Sequence, residues 1–289
     1  MVDLLQLSFS GISQGAVYGL VAIGFVAIFT VSGVINLAQG EFAALAGLVA
    51  ISFAGSGLPL PVAVTGAVAT VVAVAASVER LTIRPVRGMT TLLSIILTLG
   101  VSTALKAVML LLWGPDAEGL APFTRQEFVV AGVSIRAQEL WIIGVTAAVS
   151  AAVFWFYERT TTGKALRACA EQPVAARLVG ISLSRMSLLS FVVAGAVGAI
   201  AGVVSSPLHF TAWESGLTLG LKGFVAATLG GLVSIRAAVA GGVLLGILEN
   251  LVAGYLSTGL RDAVAFLVLI AVLVLRPGGV FGRRAEARV

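Results

Sequence analysis

The chain has 289 residues, of which 59% are apolar and only 11% are charged. A soluble domain carries roughly 25% charged residues, so these proportions exclude an ordinary soluble protein, and the high hydrophobicity excludes a disordered chain. The net charge is +5 at pH 7, which we assign to basic residues on the cytoplasmic side of a membrane rather than to a nucleic-acid partner. One cysteine and one histidine exclude an internal disulfide and any site that needs two histidines.

Apolar stretches of about 20 residues, the length that crosses about 30 Å of hydrocarbon, recur along the chain. They lack the alternation of a membrane barrel, so the sequence predicts an all-α, polytopic bundle of eight or nine transmembrane helices. A shorter stretch at 41–55, bounded by glycines, is a full span, a tilted helix or a re-entrant half-helix. The predicted full-length spans are 12–33, 60–79, 90–113, 138–157, 186–206, 217–235, 237–256 and 262–275.

Glycine recurs at every fourth residue in the first span, at Gly11, Gly15 and Gly19, and again at Gly242 and Gly246. This spacing places the glycines on one helix face, where they allow a second backbone to approach closely. The chain has 34 glycines, so chance spacing is the alternative to a packing face.

Polar side chains interrupt the apolar sequence between the first span and the 41–55 stretch. The segment SGVINLAQGEF places Asn36, Gln39 and Glu41 at a break flanked by glycines. Unwound backbone inside a membrane protein must line a cavity or be buried in protein, and such breaks often hold substrate or ions. The segment is therefore either part of a substrate pathway or an ordinary polar turn between two spans.

Further polar residues lie inside predicted spans, where an ionisable group costs at least about 2.5 kcal/mol. Lys106 lies seven residues before Trp113, so we expect it to snorkel to the outer edge of the membrane. Lys222 either snorkels or serves the substrate pathway. Glu249 is too short to snorkel, so we expect it and its neighbour Asn250 to face the interior, with a purely structural ion pair between Glu249 and Lys222 as the alternative.

The longest basic loop carries the motif TTTGKALRACAEQPVAARLVGI, which predicts two short helices separated by a proline. Residues 163–171 suit an amphipathic helix with Thr161 or Thr162 as its N-cap. Residues 174–179 form a second turn that ends at Gly180, a residue type favoured just after a helix.

The first of these helices has a small apolar stripe, formed by Leu166 and Ala170, beside Lys164 and Arg167. A helix of this type docks into a groove of a partner protein. A solvated connector, or a helix that lies on the lipid surface, is the alternative.

Most lysines and arginines outside the spans fall on one side of the predicted bundle. The positive-inside rule makes this side, and with it the C-terminus, cytoplasmic. The N-terminus lies outside if 41–55 crosses the membrane and inside if it re-enters. The residues that set this orientation are Arg80, Arg84, Arg87, Arg159, Lys164, Arg167, Arg177, Arg185, Arg236, Arg276, Arg283, Arg284 and Arg288.

No sequence pattern for nucleotide binding or catalysis is complete in this chain. The nearest approach to the phosphate-binding motif GxxxxGK[ST] has Glu158 at the first glycine, and Ala165 at the final serine or threonine. We therefore expect no ATP binding, no metal, no cofactor and no enzymatic activity in this chain, and movement of a solute instead.

Three motifs give the sequence a family resemblance. In order and spacing, SGVINLAQGEFAALAG, TTTGKALRACAEQPVAARLVGI and LGGLVSIRAAVAGGVLLGILENL resemble segments of the branched-chain amino-acid ABC importer permeases of the LivH/LivM type. The first and third motifs are closer to LivH. The resemblance implies a subunit in the bilayer of the bacterial inner membrane. Its implied partners are a second permease subunit (a LivM-like paralogue), two cytoplasmic ATP-binding subunits, which would use the ATP, and a periplasmic solute-binding protein.

The resemblance also assigns roles to positions. The break maps to Asn36, Gln39 and Glu41, and the predicted substrate pathway adds Lys222, Glu249 and Asn250. The family often carries Gly-Ser-Ile/Leu-Pro-Gly where this chain has VSIRA at 233–237, so the role of that turn stays open. The residues that the resemblance assigns to ATPase coupling are Gly163, Lys164, Leu166, Arg167, Glu171, Arg177 and Gly180.

We predict that residues 1–289 form one transmembrane permease domain, with the coupling loop at about 158–185. The predicted function is ATP-driven import of branched-chain or related amino acids along a pathway at the subunit interface, and amides and urea stay open as solutes. Two other functions also stay open: an ion- or proton-driven secondary transporter with Glu249 and Lys222 as carriers, and an assembly subunit without a pathway.

Overall fold

The structure is a computed structural model that describes residues 2–86, 90–130, 132–276 and 279. A π-helical turn, Glu79–Ile83, continues α3, and a 3-10 turn, Thr258–Leu260, leads into α11. The strands β1 (Glu127–Val130) and β2 (Val133–Arg136) pair as an antiparallel hairpin between α4 and α5. The helices are α1 (Val2–Ser32), α2 (Gln39–Gly55), α3 (Leu60–Val78), α4 (Thr91–Trp113), α5 (Ala137–Arg159), α6 (Thr161–Glu171), α7 (Pro173–Leu178), α8 (Leu183–Ser205), α9 (Ser215–Leu229), α10 (Ile235–Tyr255) and α11 (Arg261–Leu275).

The predicted helical, polytopic architecture is confirmed. Within the described residues, seven helices are long and apolar enough to cross a membrane, namely α1, α3, α4, α5, α8, α10 and α11 with their helical extensions. The remaining apolar stretches form shorter helices, α2 with 17 residues and α9 with 15. The prediction for 217–235 is wrong at its end, because α9 stops at Leu229. In the turn that follows, Gly231 and Leu232 adopt positive φ angles of 78° and 58°, which a right-handed helix does not allow.

The helices α1 and α8 are the most buried of the long helices, and α1 packs antiparallel to α10 through the predicted glycine face. A Cβ atom on Gly15 would lie 2.5 Å from the carbonyl oxygen of Gly242, and one on Gly11 would lie 2.7 Å from the Cα of Ile247. A methyl group at either position would collide with backbone, so glycine is what permits the close approach. The glycine face therefore acts in helix packing.

The helix α2 begins in the middle of the bundle instead of at its surface. After α1 ends, residues 33–38 form an irregular segment, and α2 starts where the Gln39 side chain donates to the carbonyl of Ala194, halfway along α8, at 2.9 Å. From there α2 runs parallel to α8, with Ala43 packed against Gly202. Irregular backbone followed by helix thus fills one continuous path through the bundle.

Several backbone groups of the irregular segment are satisfied by side chains within the protein. The Leu37 amide donates to Thr98 Oγ1 of α4 at 3.1 Å, and the Ala38 amide donates to Asn36 Oδ1 at 3.2 Å. Asn36 itself is fully buried. Burial in protein is the condition under which unwound backbone is tolerated at membrane depth.

The bundle has two ends that differ in structure. The hairpin face consists of residues 114–136 and 206–214, which the paired backbones of Glu118 and Thr211 connect. The start of α1 lies on this face, because Gln6 Nε2 donates to the carbonyl of Ser134 at 2.7 Å. At the other end of α5 lies the loop-helix face, formed by α6 and α7. Of the residues that set the predicted orientation, those outside the described ranges are Arg87, Arg283, Arg284 and Arg288.

Candidate functional site

A cavity of about 540 Å³ opens between the helices near the hairpin face. Its walls come from α1, α2, α4, α8, α9 and the 206–214 loop. Val17, Ala44 and Leu219 contribute apolar surface, while Lys106 and Lys222 bring two positive charges to the same cavity. The lining therefore combines apolar and polar side chains, and polar groups at defined positions are what orient a ligand in small-molecule sites.

Lys222 belongs to a dense charged network. Its Nζ lies 3.2 Å from Glu249 Oε2 and 2.7 Å from Asp262 Oδ1. Tyr18 Oη donates to the same Glu249 oxygen at 2.7 Å, and Arg261 Nε lies 3.7 Å from it. Glu249 is fully buried, so it faces the interior as predicted, and the structural ion pair that the sequence left open is present.

Lys106 forms a second and sparser pair. Its Nζ lies 3.8 Å from Glu41 Oε1, and Ser102 Oγ donates to the same oxygen at 2.9 Å. Glu41 is fully buried, whereas the Lys106 side chain keeps 19% of its surface exposed. The prediction that Lys106 snorkels to the membrane edge is wrong, because its side chain lines the cavity and its nearest carboxylate comes from α2.

The other predicted pathway residues do not line this cavity. Asn36 and Gln39 are fully buried at the break between α1 and α2, where their side chains bond to backbone groups. Asn250 Nδ2 donates to the carbonyl of Gly246 in its own helix at 2.9 Å. Of the six predicted residues, Lys222 reaches the cavity, and Glu41 and Glu249 lie directly behind its two lysines.

Sequence reasoning missed several members of this site. Tyr18 and Ser102 could have been identified from the sequence, because each places a hydroxyl group inside an apolar span. Arg261 and Asp262 read as ordinary loop charges, because nothing local shows that they reach back to Lys222 and Glu249.

His209 lies on the 206–214 loop at the rim of the same cavity. The residue keeps an exposed surface, but the surrounding protein removes much of the water from its imidazole. This loss of hydration, followed by the positive charges of Arg261, Arg136 and Lys222, lowers the pKa of the ring to about 4. The lowered pKa keeps the ring neutral at physiological pH, so it adds no third positive charge to the cavity.

The predicted pair of loop helices is present on the loop-helix face. The N-cap of α6 is Thr160, whose Oγ1 accepts from the Gly163 amide at 2.9 Å, and not Thr161 or Thr162. Gly180 follows α7 with a φ of 86°, as expected for the residue after a helix.

The apolar stripe of α6 faces inward. Gly163, Leu166 and Cys169 are buried against the bundle, while Ala170 is exposed. The predicted stripe of Leu166 and Ala170 is therefore wrong, because residues three apart, not four, meet the neighbouring helices here. Leu166 packs between α6 and the bundle, so its side chain is not available to a partner protein.

The exposed residues of this face are both charged and apolar. Arg167 pairs with Glu158 at 3.0 Å, with nearly half of each side chain exposed. On α7 and just after it, Val174, Leu178 and Val179 are 70%, 84% and 76% exposed. The other predicted coupling residues exposed on this face are Lys164, Glu171, Arg177 and Gly180.

Two further features complete the description of possible ligand sites. A second cavity of about 1050 Å³ lies beside α6, between the end of α1, the end of α5 and the 233–236 turn. No group of three histidine, cysteine, aspartate or glutamate residues that could hold a metal occurs in the part of the chain that the structure describes.

Comparison with known proteins gives a consistent result. Residues 7–273 match the family described as "Branched-chain amino acid transport system / permease component". The chain is 34% identical to the high-affinity branched-chain amino acid transport system permease protein LivH of Escherichia coli (strain K12), over 99% of this chain and 97% of that one. It is 32% identical to the corresponding protein BraD of Pseudomonas aeruginosa, over 99% and 98%. A chain of the solved structure of PsaBC from Streptococcus pneumoniae in complex with Fab shares the fold, with a TM-score of 0.53, 14% identity and coverage of 92% and 89%.

Proposed function

Since the chain belongs to the family of permease components of branched-chain amino acid transport systems, we propose that it is the membrane subunit of an ATP-driven importer for branched-chain or related amino acids. The likeness to LivH covers 99% of this chain and 97% of the relative, and this is the observation that carries the proposal. Because the sequence lacks a complete phosphate-binding motif, ATP hydrolysis belongs to separate partner subunits in this proposal. Residues 1–289 then act as one permease domain in the bacterial inner membrane.

The proposed orientation puts the hairpin face in the periplasm and the loop-helix face in the cytoplasm. The basic residues of the loop-helix face support it through the positive-inside rule. The helix α1 starts on the hairpin face, and α2 runs parallel to α8 after the irregular segment. This path supports nine crossings, in which residues 33–55 form one interrupted span and the C-terminus is cytoplasmic.

The proposed contact with two ATP-binding subunits is the exposed part of α6 and α7. We define this coupling surface as Lys164, Arg167, Glu171, Val174, Arg177, Leu178 and Val179. Three clustered apolar side chains at this exposure are typical of a protein interaction site. Movement of the ATPases would then shift the balance between outward and inward access of the bundle.

The proposed pathway begins in the cavity near the hairpin face, where a periplasmic solute-binding protein would deliver substrate. Walls that combine lysines with apolar side chains suit a zwitterion with an aliphatic side chain. In this proposal Glu41, Lys222 and Glu249 set the electrostatics of the cavity, Asn36 and Gln39 hold the interrupted span, and Asn250 stabilises α10. The pairing with a second permease subunit, a LivM-like paralogue, and a pathway at that interface remain predictions.

Uptake of radiolabelled leucine tests the function. The chain is reconstituted in liposomes with its second permease subunit, the ATPases and the binding protein, and uptake is expected only with internal ATP and with competition by isoleucine and valine. Gradient-driven uptake by this chain alone would instead identify a secondary transporter. If no substitution of a polar residue within the spans affects uptake while the amount of assembled complex falls, the chain is an assembly subunit.

The coupling surface has a matched test of its own. Val174→Glu, on α7, and Val129→Glu, on β1, each place a charge on a valine that is at least 70% exposed, but at opposite ends of the bundle. We expect Val174→Glu to abolish ATPase co-purification and to lower uptake about tenfold or more, with Val129→Glu close to wild type in co-purification. Equal co-purification for the two variants would contradict the assignment.

A further inference from the structure

The two lysines of the cavity differ in how many partners they already have. Lys222 contacts two carboxylates, at 2.7 and 3.2 Å, and lies 5.5 Å from the centre of the Tyr18 ring. Lys106 has one carboxylate oxygen at 3.8 Å, which is beyond hydrogen-bond distance. Among the described residues, no acceptor lies within hydrogen-bond distance of its ammonium group.

An ammonium group carries three donors, and at membrane depth each unmet donor is costly. The Lys106 side chain is one-fifth exposed, and Lys106 is one of the residues that line the cavity. Its free donors are therefore available to a molecule that enters the cavity, which those of Lys222 are not.

The position of Glu41 explains why the donors of the Lys106 ammonium group remain free. The carboxylate is fully buried, its Oε1 accepts from Ser102, and Gly216 of α9 packs directly against its Oε2. Only glycine fits at position 216, because a Cβ there would overlap Glu41. Glu41 is thus fixed behind Lys106, with its nearest oxygen 3.8 Å from the ammonium nitrogen and too far to accept its hydrogen bonds.

We propose that Lys106 binds the α-carboxylate of an amino acid in this cavity, whereas Lys222 is a structural ion-pair residue. This inference rests on the proposed function and assigns its substrate contact. Val17 and Leu219 give the cavity apolar walls that suit an aliphatic side chain. Bonds between a charged donor and a carboxylate are the strong class of hydrogen bond, so one such contact orients the substrate.

Equilibrium binding of radiolabelled leucine to the assembled transporter, without the solute-binding protein and in lipid nanodiscs, tests the proposal. Lys106→Met is expected to weaken leucine binding about 10- to 100-fold, the loss for a hydrogen bond to a charged group, and Lys106→Arg to keep most of it. For the wild type, 4-methylpentanoate, which retains the carboxylate, should compete, and leucinamide, which lacks it, should not. Arg125→Met removes an exposed positive charge near the hairpin face and should bind like the wild type.

A double variant separates substrate binding from simple neutralisation of Glu41. Lys106→Met combined with Glu41→Gln removes both charges, so it relieves any unpaired buried carboxylate. We expect the double variant to assemble and still to lack leucine binding. Recovery of wild-type binding in the double variant would overturn the proposal, as would competition by leucinamide equal to that by leucine.

Uptake by the complete wild-type system keeps this test independent of the proposed function. If the wild type takes up leucine with ATP but binds none without the binding protein, the carboxylate site is refuted and the importer stands. If ATP-driven leucine uptake is absent altogether, the importer proposal itself fails.

Discussion

The two lysine–glutamate pairs of the cavity have the same chemistry and different surroundings. The pair of Lys222 and Glu249 sits among Tyr18, Arg261 and Asp262: the Lys222 ammonium contacts two carboxylates, and Glu249 Oε2 also accepts from Tyr18. The pair formed by Lys106 and Glu41 has one hydroxyl partner, from Ser102, and its lysine lines the cavity. The difference teaches that a lysine at membrane depth is structural when carboxylates already occupy its donors, and is available to a ligand when they do not.

The comparison predicts its largest effect on stability at Glu249. Glu249→Leu leaves Lys222 and Arg261 without their buried acceptor, and loss of one partner of a buried pair costs about 3–5 kcal/mol. Cys169 is the one cysteine of the sequence and is buried, so its reaction with a fluorogenic maleimide reports thermal unfolding of the purified chain in detergent. Glu249→Gln, which keeps the shape and an acceptor for Tyr18, serves as the control and should lose less.

A smaller loss is expected for Glu41→Leu, about 1–3 kcal/mol, the cost of unmet polar groups. Ser102 loses its acceptor, but the Lys106 ammonium at 3.8 Å keeps its access to water in the cavity. The same maleimide measurement ranks the variant against Glu249→Leu. A loss for Glu41→Leu equal to or above that for Glu249→Leu would erase the distinction between the two pairs.

The smallest effect belongs to Asp262→Asn. Its side chain is 65% exposed although it lies 2.7 Å from Lys222, and exposed ion pairs contribute about 0–1 kcal/mol. Unfolding midpoints at low and high salt should differ little for this variant, since Glu249 continues to hold Lys222. A loss comparable to that of Glu249→Leu would show that Asp262, and not the buried carboxylate, anchors the network.

Much of the candidate site was visible in the sequence as residue types, and little of it as contacts. Glu41, Lys222 and Glu249 stood out because charges are costly in an apolar span. Lys106 also stood out, yet the direction of its side chain was predicted wrongly. The prediction considered the distance to the membrane edge along α4 alone and not the carboxylate of Glu41, which α2 supplies. Leu166 was assigned to an outer surface because a short helix alone does not reveal which of its sides meets the bundle.

The sequence by itself determined where the helices form, because about 20 apolar residues or a proline and glycine at defined places act locally. It also indicated the family, through three motifs that lie between residues 32 and 251. Only the tertiary structure decided which charge meets which, since Lys222 and Glu249 are 27 residues apart and Glu41 and Ser102 are 61 apart. In spans that are apolar on every side, no periodic pattern encodes the rotation of each helix about its axis. That rotation places Lys222 against two carboxylates and leaves the donors of Lys106 free in the cavity.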